Sequence, residues 1–175
     1  QELIEPVREK SIIIPPGQDL PNLKGLTPSK RDLPLVIFPA RLETSKQPAL
    51  FFQAVEELFA EGKRFYVAVL SKGKSTSMWR RLRQFRENLG SYLIHVGRIN
   101  DPRAFAQMLL DADIAVSTTP FEAFGRVYVE ALYAGTKLIL PRSGAFPELF
   151  GDFEGSHVRF YGNPTDLVGL KETLR

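Results

Sequence analysis

An α/β fold with a doubly wound parallel sheet is predicted by three observations. Short apolar runs alternate with helix-length segments along nearly the whole chain. The runs are continuously apolar, so each strand must be covered on both faces, the condition of a parallel sheet between two helical layers. Gly, Pro and polar clusters punctuate the segments, and no internal repeat or low-complexity tract interrupts them.

Each element follows from local sequence. Ile12, Ile13 and Ile14 form a short apolar strand, ended by Pro15, Pro16 and Gly17. Residues 18–32 are polar and contain Pro21 and Pro28, so they read as loop or linker. Residues 33–39 are the first strand of the sheet proper. A helix is expected over about 46–61, with Ser45 placed to cap it, Pro48 in its first turn and Gly62 beyond its end. Phe51, Phe52, Val55, Leu58 and Phe59 supply its apolar stripe. A strand at 65–70 leads through a Lys/Gly/Ser loop to a basic helix near 76–89, then a strand at 92–96. Asp101 caps a helix that Pro102 opens and that runs to about Leu110. A strand at 113–118, a helix at 125–134, a strand at 137–140, a turn or short helix at 145–150, a strand at 158–161 and a helix at 164–174 complete the alternation. Residues 1–32 thus read as a lead-in strand and linker from a preceding domain, and 33–175 as one Rossmann-like domain. The chain opens on Gln1, not Met, as expected of a fragment of a longer protein.

Bulk properties exclude several chemistries. A chain of 175 residues buries roughly 70% of its unfolded surface. Without cysteine there are no disulfides, no thiolate chemistry and no Cys-ligated zinc, and two histidines, His95 and His157, cannot build a histidine-rich metal site. No apolar run approaches the ~18 residues of a membrane span and no signal-peptide pattern is visible, so the cytoplasm is the default compartment. A net charge of +3 does not by itself imply nucleic acid.

In a doubly wound sheet the ligand crevice opens at the strand carboxyl ends, where the strand order reverses. For the order 3-2-1-4-5-6, counted from the strand at 33–39, the reversal lies between strands one and four. Strand one leads into Arg41, Glu43 and Lys46; strand four leads into Thr118, Glu122, Phe124 and Gly125. The two loops should face each other across one cleft. Lys46 is expected in the first turn of its helix, where a cation opposes the macrodipole by roughly 0.3–1 kcal/mol. A diphosphate bound by helix N–H groups, Lys46 and Arg41 would reverse that penalty. The competing reading is a solvated lysine and an arginine paired with Glu43. Glu130 is the only charge between Val127 and Thr136, in a helix that reads as apolar all round and therefore buried. A buried carboxylate needs donors, and the vicinal hydroxyls of a sugar are such donors. Gly125, at the strand-to-helix turn, lets backbone N–H groups approach a ligand closely.

Arg41 and Lys46 five residues apart, Glu122 and Glu130 around Phe124 and Gly125, and residues 131–135 together resemble the C-terminal, donor-binding half of GT-B glycosyltransferases, most closely the retaining family 4. Ile14 through Asp19 is similar to the segment that enters this half in that family. A shorter stretch, 112–150, is similar to the tRNA-queuosine mannosyltransferase group. The resemblance implies that Arg41 and Lys46 hold the donor diphosphate and neutralise the departing nucleotide. Glu122 would contact the donor sugar, with the amides of Phe124, Gly125, Arg126 and Val127 at sugar and phosphate. Glu130 would bind the ribose, and Gly97, Arg98 and Ile99 would border the base. It further implies retaining transfer of a hexose from a UDP- or GDP-sugar to an acceptor it does not identify, with no metal or other cofactor. A separate N-terminal domain would hold that acceptor, leaving this chain inert alone. Two departures stand out: Ser71, Lys72, Gly73 and Lys74 replace the Gly-x-Gly common after the second strand, and Arg126 replaces a small or apolar residue.

Other signals carry less. Asp111-Ala-Asp113 spells a metal motif of another glycosyltransferase fold but joins a helix end to a strand start, away from the cleft. His95 is expected as a satisfied residue of a buried strand and His157 as a loop residue. In the helix near 76–89, Met78, Leu82, Phe85 and Leu89 form a stripe opposite Arg80, Arg81, Arg83 and Arg86. With Lys72 and Lys74 that face could meet tRNA or an anionic membrane, or could simply be solvated. Two readings therefore stand beside transfer: a Rossmann-like binding module without activity, and a sugar-nucleotide epimerase of the same fold.

Overall fold

The computed structural model describes residues 10–12, 16–71 and 76–175. The Ile13 and Ile14 part of the lead-in strand, Pro15 of the segment likened to the family, and the Lys72 to Lys74 loop lie outside the described residues. Strands and helices alternate: β1 (Leu35–Phe38), α1 (Pro48–Ala60), β2 (Tyr66–Val69), α2 (Thr76–Leu89), β3 (Leu93–Val96), α3 (Pro102–Asp111), β4 (Ile114–Val116), α4 (Arg126–Tyr133), β5 (Lys137–Pro141), α5 (Phe146–Phe150), β6 (Val158–Tyr161) and α6 (Leu167–Leu174). The six strands form one parallel sheet in the order β3-β2-β1-β4-β5-β6, the doubly wound order expected, with its reversal between β1 and β4.

Side-chain alternation along apolar strands feeds two cores. Val36, Phe38, Val67, Val69, Val116 and Ile139 face one side, where Phe51, Phe52 and Val55 of α1, Phe85 of α2 and Leu170 of α6 cover them. Phe52 stacks on Phe85 with ring centroids 4.3 Å apart, and Phe38 on Phe51 at 4.8 Å. Leu35, Ile37, Ala68, Ala115, Leu138 and Leu140 face the other side, against Leu109, Tyr128, Ala131, Phe146 and Phe150. Each fully buried leucine or phenylalanine contributes about 1.5–3 kcal/mol of transfer free energy.

Local expectations needed four corrections. Ser45 does not cap α1: Thr44–Lys46 form a 3-10 turn, and Gln47, in the left-handed region at φ 45°, precedes Pro48. The proline starts the helix because it needs no N–H donor there. Helix α4 is half-buried, not enclosed, because Arg126 and Tyr133 reach solvent and Glu130 is partly exposed. The strand β3 is an edge strand with Ile94 exposed, so His95 is only partly buried, its Nε2 2.9 Å from Gly97 O. Of the arginine face on α2, Arg81 is drawn onto Glu56, with Nη1 2.8 Å from Oε1, while Arg80, Arg83 and Arg86 stay exposed.

The Asp-x-Asp signal is structural. Asp111 accepts from Ser29 N at 2.8 Å, Ser29 Oγ at 3.0 Å and Gln107 Nε2 at 2.7 Å, and pairs with Arg31 at 3.3 Å. Asp113 accepts from Leu35 N at 2.7 Å. Both thus staple residues 29–35 to the sheet at its amino-terminal edge. No group of three potential metal-binding side chains occurs among the described residues, and none of their helices is long and apolar enough to cross a membrane.

Candidate functional site

The reversal between β1 and β4 brings two loops together. Lys46 closes the 3-10 turn after β1, and Glu122 lies in the loop after β4; Lys46 Nζ stands 2.8 Å from Glu122 Oε2. Their side chains are 15% and 20% exposed, so the pair is held at the floor of the rim rather than free in water. Contrary to the sequence reading, Lys46 precedes α1 instead of sitting inside its first turn.

Thr118 locks the two loops. Thr118 is fully buried, and its Oγ1 lies 2.8 Å from Lys46 O and 2.9 Å from Gln47 O, so its single O–H is shared between two carbonyls of the turn. Gln47 O also accepts from Leu50 N at 3.1 Å. A third loop, after β5, was missed by sequence reasoning. Ala145 N donates to Glu122 O at 2.9 Å, and Gly144 approaches so closely that a Cβ there would lie 2.8 Å from both Glu122 N and O. The Ser143-Gly144 pair was the available signal, since glycine marks a close backbone approach or a positive φ, here 58°.

Gly125 forms the N-cap of α4 at φ 77°, with no side-chain cap. A Cβ would meet Phe146 Cε1 at 2.9 Å, so a larger residue is excluded on both conformational and steric grounds. The opening N–H groups of α4, beyond Phe124 and Gly125, are the orphan donors of a helix N-terminus. Arg126 is exposed and Val127 half-buried on this first turn. One turn further, burial pushes the Glu130 carboxyl above the usual carboxylate range, against the pull of the Gln18 amide and the Arg126 guanidinium. Glu130 borders a cleft of about 380 Å³ between residues 19–22 and Pro102, Arg103 and Phe105 at the start of α3. Gly97, at φ 140°, and Arg98 follow β3 at the carboxyl edge, and Ile99 packs into the second core.

Arg41 is the exception. Its side chain is 70% exposed and meets Glu43 at 3.3 Å, the alternative pairing that the spacing left open. A larger cleft, about 480 Å³, opens at the opposite edge, between Phe65, Lys137, His157 and Leu174. Helix carboxyl ends gather there, and Arg64 in its wall donates to Phe59 O in the last turn of α1. Size alone does not mark the anion site; helix amino ends do.

A cation, a carboxylate and a glycine-capped helix thus stand at the switch point of a doubly wound α/β domain, where ligands of such sheets bind. Residues 22–173 match the family described as "Glycosyl transferases group 1", and the chain belongs to that family. It is 31% identical over 117 residues to granule-bound starch synthase 1 of Triticum aestivum, covering 67% of this chain and 18% of that protein. It is 27% identical over 151 residues to D-inositol 3-phosphate glycosyltransferase of Corynebacterium jeikeium, covering 77% and 36%. The chain thus spans well under half the length of these relatives. Its fold is shared with the C-terminal domain of a group 1 glycosyl transferase (LpcC) from Francisella tularensis, at TM-score 0.67, 21% identity and coverage of 86% of this chain and 76% of that one. It is shared also with sucrose-phosphate synthase from Thermosynechococcus elongatus, at TM-score 0.69, 22% identity and coverage of 87% and 40%. This is the GT-B C-terminal architecture.

Proposed function

We propose that this chain is the donor-binding half of a retaining glycosyltransferase, holding a nucleoside-diphosphate hexose for transfer to an acceptor presented by an N-terminal domain. The observation that carries the reading is the Lys46–Glu122 contact, which joins the loops of the switch point. Lys46, the α4 N-terminus and Arg41, swung from Glu43, would take the diphosphate and neutralise the charge that develops on the departing nucleotide. Glu122, pinned through its backbone by Gly144 and Ala145, would orient the donor sugar's hydroxyls. The amides of Phe124, Gly125, Arg126 and Val127 would line the sugar and phosphate. Glu130 would accept from the ribose, and Gly97, Arg98 and Ile99 would border the base. Bond breaking would leave negative charge on the β-phosphate, which Lys46 and Arg41 would neutralise.

Calorimetry with UDP and GDP on the wild-type chain and on the Lys46→Ala and Glu130→Ala variants tests this. Wild-type binding that both substitutions weaken is expected; equal affinity in all three proteins refutes the reading. With half the active cleft supplied by the other domain, the isolated chain should not turn over a sugar nucleotide to a glycoside. A second reading rests on Arg80, Arg83 and Arg86, exposed beside the 45% exposed Trp79, as a surface for a polyanion. It predicts that reversing those charges abolishes partner binding while changes at Lys46 and Glu130 are silent.

A further inference from the structure

The cleft beside Glu130 has a wall that begins far from it in the chain. Residues 19–22 form one side, Pro102, Arg103 and Phe105 the other, and Glu130 stands at the border. Just ahead of that wall, Gln18 reaches across the fold: its Nε2 donates at 2.8 Å to Arg126 O, a carbonyl in the first turn of α4 and 108 residues away. A glutamine amide has two N–H donors. The same amide favours the charged form of the Glu130 carboxylate, one turn on from Arg126, and Gln18 Oε1 is buried without a partner among the described residues. A polar side chain drawn from a loop into this position, with an acceptor left unsatisfied, is costly as mere packing.

We infer that Gln18 is a positioning residue for Glu130, and that residues 18–22 form a wall of the nucleoside subsite. This rests on the donor-site reading above. Gln18 ties α4 to the segment that precedes the sheet and turns the Glu130 carboxylate toward the cleft, where vicinal ribose hydroxyls donate to it. Arg126, on the same helix, is the charge that acts on this carboxylate, and Arg103 and Asp19 line the walls of the same cleft. Arg126 favours the charged carboxylate. Losing the Gln18 amide leaves burial less opposed, so the carboxyl protonates at a higher pH.

Calorimetry with UDP, GDP and inorganic pyrophosphate, from pH 5 to 8, on the wild-type chain and the Gln18→Met and Gln18→Ala variants, tests the inference. Pyrophosphate has no ribose and reports the diphosphate rim alone. Both variants should bind the preferred nucleoside diphosphate roughly tenfold more weakly, the loss of about one charged hydrogen bond. Their pyrophosphate affinity should be unchanged, and the acid limb of their nucleotide binding should move to higher pH. An equal loss for pyrophosphate, no loss for the nucleotide, or an unmoved acid limb overturns the positioning role. Should one variant fail to melt cooperatively, the other carries the comparison. Absence of binding by the wild-type chain to all three ligands strikes the donor-site reading instead.

Discussion

Replacing Glu122 by Gln probes the switch point most directly. In the free chain Lys46 is engaged by Glu122 at 2.8 Å, with both side chains largely shielded from water. A diphosphate that recruits Lys46 must first displace that carboxylate. A charged hydrogen bond of this kind contributes about 1.5–3 kcal/mol. An amide still accepts from the ammonium, so only part of that is released in Glu122→Gln; taking the lower end, about 1.4 kcal/mol is roughly tenfold in affinity. Removing a negative charge beside the phosphates acts in the same direction. Pyrophosphate and the nucleoside diphosphate should therefore bind roughly tenfold more tightly to the variant. The additional affinity conferred by the donor sugar should shrink, because the carboxylate that orients its hydroxyls is gone. Titration calorimetry at low ionic strength, with pyrophosphate, nucleoside diphosphate and sugar nucleotide in parallel, separates these effects. Unchanged or weaker pyrophosphate binding by Glu122→Gln would show that Lys46 does not serve the diphosphate.

Three further outcomes are expected. Gly144→Ala should lower stability by about 1–3 kcal/mol, since its Cβ would press on Glu122 N and O at a positive φ, and should weaken sugar-nucleotide binding more than pyrophosphate binding; thermal melting and calorimetry check both. Thr118→Val keeps the buried shape but removes the hydroxyl from Lys46 O and Gln47 O, so it should cost about 1–3 kcal/mol in urea unfolding and loosen the Lys46 turn, seen as weaker diphosphate binding. Burial alone would raise the Asp111 carboxyl, but hydrogen bonds from Ser29 and Gln107 and the Arg31 guanidinium outweigh it and hold the pKa below the usual value. Its stabilisation is complete above the unfolded carboxylate pKa of about 3.9 and is lost as pH falls through the depressed folded value. Urea unfolding followed from pH 6 downward should therefore steepen in the acid range for the wild type and less so for Asp111→Asn.

The sheet was legible because strands buried on both faces have no polar positions to confuse the pattern, as in Leu35–Phe38 and in the buried LILP run that follows the exposed Lys137. The alternation pointed to a doubly wound sheet, and taking its common strand order put residues 46 and 122 at the same switch point. Helix boundaries were less legible. Ser45, shortly ahead of a proline, looks like a cap, yet the residue that precedes Pro48 at the start of α1 is Gln47 in the left-handed region, which no propensity argument indicates. Glu130 was read as enclosed because α4 is apolar around most of its circumference, whereas the cleft beside α3 leaves its carboxylate an opening. The support of Glu122 by Gly144 and the reach of Gln18 to Arg126 are contacts across 22 and 108 residues, and their residue types alone are compatible with ordinary turns.

The central seam of the sheet is its narrowest. Between β1 and β4 only Val36↔Ile114 and Ile37↔Ala115 are in register, against four registered pairs between β1 and β2. Above so short a zipper, anything spanning the two strand exits acts as a clasp. A molecule lodged there would tighten the middle of the domain as much as occupy it, and amide hydrogens along Ile114–Val116 should exchange more slowly once it is seated.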